Sequence, residues 1–204
     1  MDAKSIEQIP GYIYNQYQLI LKPNEDLCDK IIQVKKEFSE KYKVTKTHFL
    51  PPHILLARFV QFEMREPQII NRLKSIASQF HPFKIDLKDY GSLPTHSIFL
   101  NVESKQQIQN LLRELKTAQQ LMTLNKENKV HFIDHFFITV ANKLLPWQYE
   151  KGWLDYSNRH FSGGFISQKM MLMKRRIEGG KYKVVKEFEL MNLPTVSKQG
   201  RLFI

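Results

Sequence analysis

A single cysteine, Cys28, in 204 residues excludes an intrachain disulfide framework and any zinc site built from four cysteines. No apolar run approaches the roughly 18–20 residues needed to span a bilayer. The opening Met1-Asp2-Ala3-Lys4-Ser5-Ile6-Glu7-Gln8 lacks the apolar stretch of a secretory leader. The expectation is therefore a cytoplasmic protein with no membrane association. Glycine is scarce, at 8 residues, and never falls in a Gly-x-x-x-x-Gly-Lys-Ser/Thr pattern, which argues against ATP-driven chemistry on a phosphate-binding loop. Acidic residues are also short: 20 Asp and Glu face 31 Lys and Arg, for a net charge of +11. The cations are scattered through Lys35-Lys36, Lys41, Lys43, Lys46, Lys174-Arg175-Arg176, Lys181, Lys183 and Lys186. They never form the five-to-eight-residue block of a dedicated duplex binder.

What is present suits a packed, ligand-binding domain. A 42% hydrophobic and 12% aromatic composition supplies a real core. The positive surplus favours anionic partners such as a nucleotide, an RNA end or a phosphorylated small molecule. The length fits one large domain or two small packed lobes, and a monomer is expected.

Residues 12–22 are rich in Tyr, Ile and Leu and predict a strand. Pro23-Asn24 breaks it, and Leu27, Ile31, Val34, Phe38 and Tyr42 then recur at helical spacing behind an Asn24 cap. A second strand around Ile54 is followed by a helix opening at Glu66-Pro67, and by an alternating strand at 83–88. The order repeats: a strand at 97–102, a helix capped by Ser104, a strand through Thr139, a helical segment at 147–161 and a strand near 165–174. A Gly179-Gly180 turn leads into a last strand from Tyr182 to Leu190. The repeat predicts a single two-lobed domain over 1–204. The first lobe runs over about 12–90, the second over about 96–190, and a tail occupies 191–204.

The second strand of each half carries the same short text. Pro52-His53-Ile54-Leu55-Leu56-Ala57-Arg58-Phe59 is echoed by Phe136-Phe137-Ile138-Thr139-Val140-Ala141-Asn142. Side chains alternate along a strand, so His53 shares a face with Leu55, and Phe137 with Thr139. Two such strands facing each other across a pseudo-two-fold axis, at equivalent central positions, would put these four side chains around one groove.

This layout resembles the two-histidine phosphoesterase superfamily, and within it the bacterial 2'-5' RNA ligase-like proteins. The resemblance covers about residues 12–190, including the closing Gly180-Lys181-Tyr182-Lys183-Val184-Val185-Lys186-Glu187-Phe188-Glu189-Leu190. It implies an α+β fold: two pseudo-symmetric lobes, each a mainly antiparallel sheet with helices on its outer side, around a central groove. It also implies two His-x-Thr/Ser motifs, one per lobe, and metal-independent phosphodiester chemistry with no cofactor. One histidine removes a proton from the attacking oxygen and the other protonates the leaving oxygen. Here each motif is half intact. His53 is kept with Leu55 in the hydroxyl position, and Thr139 is kept with Phe137 in the histidine position.

His135 lies two residues before Phe137 on the same strand face. Its displacement along the strand is about 6–7 Å by the rise per residue, so it replaces the missing ring only if the strand slips. Otherwise it supports the site from outside. His131, Asp134 and His135 hold no diagnostic metal spacing, and no metal is expected. Arg58, five residues after His53, is a candidate binding residue, although strict alternation puts it on the opposite face, where it is simply solvated. One of Lys174, Arg175 and Arg176, with Lys174 the candidate, lines the groove or else ends a solvated strand. His96 reaches the groove mouth or sits in a turn. One of Tyr12, Tyr14 and Tyr17 could stack on a base, as could Phe137. His48, His81 and His160 read as boundary residues. Three functions stay open: a catalytically impaired binder of a nucleotide, RNA end or phosphorylated small molecule; a working cyclic phosphodiesterase or 2'-5' RNA ligase with a replacement histidine; and a protein interaction module whose groove is filled by Leu55 and Phe137.

Overall fold

The computed structural model describes residues 11–44 and 51–192. Lys46, His48 and most of the tail, with Leu202 and Phe203, lie outside the described residues.

The chain runs β1 (Tyr14–Leu21), α1 (Glu25–Tyr42), β2 (Ile54–Phe62), α2 (Glu66–Ala77), β3 (Phe83–Leu93), β4 (Ser97–Val102), α3 (Gln106–Lys116) and a single turn, α4 (Gln119–Met122). It continues through β5 (His131–Phe132), β6 (Phe137–Asn142), α5 (Pro146–Tyr156), β7 (Ser162–Ser167), β8 (Lys169–Arg176) and β9 (Gly179–Glu189). Asn24 occupies the N-cap of α1 without a side-chain cap bond. Glu25 and Asp26 in the first turn complement the helix dipole there. Lys43, left-handed at φ 52°, ends the helix. Ser104 does not cap α3; its hydroxyl accepts from the Asp86 N–H at 2.7 Å, and Lys105 takes the N-cap position.

All strand pairs are antiparallel, in two sheets ordered β5-β2-β1-β8-β9 and β6-β4-β3-β7. The fold is α+β, as the repeat and the resemblance imply. Sheet membership nevertheless cuts across the 12–90 and 96–190 division. The third strand of each half crosses to the other half's sheet: β3 joins β4 and β6, while β8 joins β1 and β2. The apolar stretch near 165–174 is therefore two strands, β7 and β8, in different sheets on either side of Gln168. Nor are the motif strands placed alike, because β2 lies inside its sheet whereas β6 is an edge strand.

The exchange ties both sheets to one apolar core containing Tyr17, Leu19, Phe38, Leu73, Ile85, Leu100 and Ile138. Each fully buried side chain of this kind stabilises by about 1.5–3 kcal/mol. α1 packs on β6 and β7, and α2 on β9. Among the described residues no helix is long and apolar enough to cross a membrane.

Both motif strands carry the same irregularity. Leu19 pairs with Ala57 and Ile20 with Leu55, so Leu56 is an extra residue. Phe99 pairs with Thr139 and Ile98 with Ala141, so Val140 is the extra residue there. Each bulge falls between the variable residue and the alanine of the repeated text. An inserted residue resets the alternation, so the polar residue that ends each copy turns back toward the groove.

Candidate functional site

Between β2 and β6 lies a cavity of about 210 Å³. Its lining includes Lys35, His53, Leu55, Arg58, His135, Phe137, Thr139 and Asn142. Pockets that enclose whole drug-sized ligands run to about 300–1,000 Å³. This one suits a phosphate-sized head group with the rest of its ligand outside.

His53 sits on the residue before β2, where its Nδ1–H donates to the Pro51 carbonyl at 2.8 Å. That bond fixes the tautomer and leaves Nε2 to act as acceptor or base. Burial lowers the pKa of the ring; the Pro51 bond opposes this, and the nearby Lys35 and Arg58 charges lower it further. The imidazole is thus held neutral, the form a general base needs. Lys35 enters from α1 with only 6% of its surface exposed. Burial lowers its pKa to about 8, so it is an ammonium at neutral pH that gives up its proton more readily than an ordinary lysine.

Arg58 corrects the reading by strict alternation. The bulge at Leu56 brings it to the cavity, not to the opposite face, and its buried Nε has no hydrogen-bond partner among the described residues. Asn142, its counterpart in the second copy, lines the same cavity by virtue of the bulge at Val140.

The β6 wall is aromatic. Phe137 stacks on Phe99 with centroids 4.5 Å apart, and the His135 ring meets both edge-on at 5.5 and 5.6 Å. Thr139, paired with Phe99, gives this wall a hydroxyl. The arrangement sets one neutral base, two cations and a hydroxyl around one small cavity. At the position opposite His53 in the repeat, it has apolar surface.

A family model described as the 2'-5' RNA ligase superfamily matches residues 23–176. The chain belongs to this superfamily. Solved structures agree in fold. Escherichia coli LigT complexed with 3'-AMP superposes with a TM-score of 0.59 at 13% identity, covering 87% of this chain and 98% of that one. A crystal structure titled only as a phosphoesterase gives 0.53 at 14% identity over 86% and 98%. TT0787 of Thermus thermophilus gives 0.51 at 15% identity over 86% and 98%. No curated protein sequence matches.

At this cavity the structure gathers His53, Leu55, Arg58, His135, Phe137 and Thr139. It leaves two candidates outside. His96 is exposed in the β3–β4 turn and does not line the cavity. Lys174 points to the other face of its sheet, where its ammonium meets Glu63 at 2.9 Å and Glu66 at 2.7 Å. Tyr12 packs on Phe62, Tyr14 is buried, and the buried Tyr17 donates to Glu66 at 3.0 Å; none lines the cavity. Among the described residues, no group of three His, Cys, Asp or Glu side chains is placed to hold a metal.

Lys35, Gln18, Phe99 and Asn142 escaped the sequence reading as site residues. The signal for Lys35 was a charged residue at four from Ile31 and three from Phe38, inside a buried helical stripe.

Proposed function

We propose that this superfamily member holds the phosphate of a nucleotide, RNA end or phosphorylated small molecule between β2 and β6, and that its phosphodiester chemistry is impaired. The observation that carries the reading is the convergence of Lys35, His53 and Arg58 with Thr139 on one small cavity. Arg58 Nε is left without a partner there among the described residues, and a buried donor costs free energy until an acceptor arrives. LigT has been crystallised with 3'-AMP, with phosphate, with NADP+ and with ATP, ligands that share a phosphate. The impairment follows from chemistry: in-line displacement needs an acid and a base on opposite sides of phosphorus, and Phe137 can be neither. Loss of one such group commonly costs about 10²–10⁴-fold. A cytoplasmic setting belongs to the same reading and fits a lone, buried thiol.

One observation favours residual activity: His135 lines the same cavity as His53 and is exposed. Hydrolysis of 2',3'-cyclic AMP and calorimetric binding of 3'-AMP test both readings. The expected result is measurable binding, very slow turnover, and a rise in turnover in Leu55→Thr/Phe137→His. Fast turnover in the natural protein, lost in His135→Ala, would instead make His135 the replacement acid. A folded double variant that neither binds nor cleaves would sink the phosphoesterase reading.

A further inference from the structure

The face of the five-stranded sheet that lines the cavity continues beyond it. Cross-strand pairing sets Arg58 beside Gln18 and Met173, and in the next row Val60 beside Gln16 and Arg175. Along β8 the alternation separates two kinds of cation. Lys174 and Arg176 turn to the opposite face, where Glu63 and Glu66 neutralise them. Arg175 turns to the groove face, and among the described residues no carboxylate pairs with it. Its Nε donates to Gln16 Oε1 at 2.8 Å, and its guanidinium lies over the Tyr182 ring at 4.8 Å. Arg58 likewise has no carboxylate partner among the described residues. Burial raises the pKa of the Tyr182 phenol, and the positive charges of Arg175 and Arg58 oppose that rise.

Arg58 and Arg175 are two strands apart and one row along, which puts their backbones about 12 Å from each other. Two extended guanidinium side chains can close that gap to the spacing of successive phosphates in a single strand. The two phosphates of a pyrophosphate share one oxygen, and Lys35 with Arg58 could hold both inside the cavity. The orientation of Arg175, fixed by Gln16 and Tyr182, suits a planar fork presented to an oxyanion.

We infer that Arg175, Gln16 and Tyr182 form a second subsite, which takes the neighbouring phosphate of an oligonucleotide whose terminal phosphate occupies the cavity. The inference rests on the phosphate-binding reading of the cavity. It makes the groove a site for at least two nucleotide units, with the cavity as its closed end.

The test compares 3'-AMP, 3'-phosphorylated ApA and ADP by titration calorimetry over a range of salt concentrations, with the natural chain, Arg175→Gln and Arg175→Lys. The natural chain is expected to bind the dinucleotide about tenfold more tightly than 3'-AMP. Its log K should fall with log salt on a slope steeper by about 0.7. Arg175→Gln brings the affinity ratio toward one. Arg175→Lys keeps the charge and most of the salt slope, and it serves as the readout should the glutamine variant fail to fold. Equal affinities in the natural chain, or a ratio that survives Arg175→Gln, would overturn the second subsite while leaving the cavity reading intact. So would an Arg175-dependent gain seen with ADP but not with the dinucleotide. Failure of all three ligands to bind would sink the cavity reading and the subsite together.

Discussion

Replacing Lys35 by methionine should make the protein more stable and its cavity worse. Methionine preserves the unbranched shape on the buried face of α1 but carries no charge. Burial holds the Lys35 pKa at about 8 against an ordinary 10.5. At ~1.36 kcal/mol per unit, the buried ammonium costs about 3 kcal/mol at neutral pH. Below pH 8 the folded and unfolded chains both carry the proton, and the full cost is present. As pH rises through about 8, the folded protein sheds the proton that the unfolded chain keeps until about 10.5. The unfolded chain then binds more protons, so the stability of the natural protein climbs toward that of the variant and the gap closes. Urea unfolding at pH 7 should show Lys35→Met ahead by about 2–3 kcal/mol, with little lead left near pH 10. Affinity for 3'-AMP should fall about tenfold or more with the lost charged hydrogen bond. A variant no more stable than the natural chain at pH 7, or a lead that does not shrink with rising pH, would refute the claim that burial sets this lysine's proton affinity.

Gly91→Ala should destabilise by about 1–3 kcal/mol in thermal or urea unfolding. The reason is that an added Cβ would lie 2.4 Å from the Phe99 ring and 2.6 Å from Asn101 Oδ1. Phe99 must then leave its stack on Phe137, which should also appear as a change in the near-ultraviolet circular dichroism. Lys174→Met strips the cation from Glu66, whose side chain is 17% exposed, and should cost about 1–3 kcal/mol at pH 7. The Lys174 hydrogen bond also holds the Glu63 carboxyl below its ordinary value. That contribution is present at neutral pH and lost as pH falls through the folded pKa, so the difference between natural protein and variant should narrow in acid.

The repeated strand text was legible because apolar alternation is local, and it placed Leu55, Phe137 and Thr139 at the cavity together with His53. Arg58 was misplaced because the bulge at Leu56 depends on β1 on the far side of the pair. A single sequence shows no inserted residue until its partner is known. The second bulge, at the matching position before Ala141, shows that the repeat encodes an interruption together with a composition. Lys35 was hidden for the opposite reason, since its neighbours Ile31 and Phe38 made the stripe look like ordinary core. The boundary between β7 and β8 could not be drawn locally either. Phe165 to Leu172 is apolar enough to be one strand, and only the exchange of third strands divides it at Gln168.

That exchange governs when the groove can exist during synthesis. β1 is made first, yet one of its two neighbours, β8, emerges near the end, with Gln18 waiting for Met173. Until then β1 offers an unpaired edge, a template for another chain. Such long-range pairing is slow to form and leaves partly made chains prone to association. Because β3 is held in the four-stranded sheet, the early half cannot close its own sheet with local strands. A nascent chain stopped before Lys169 would therefore hold His53, Leu55, Arg58 and Thr139 but lack the strand that supports β1. The wall that carries Arg175 would be assembled last, by the strand that also covers the edge of β1.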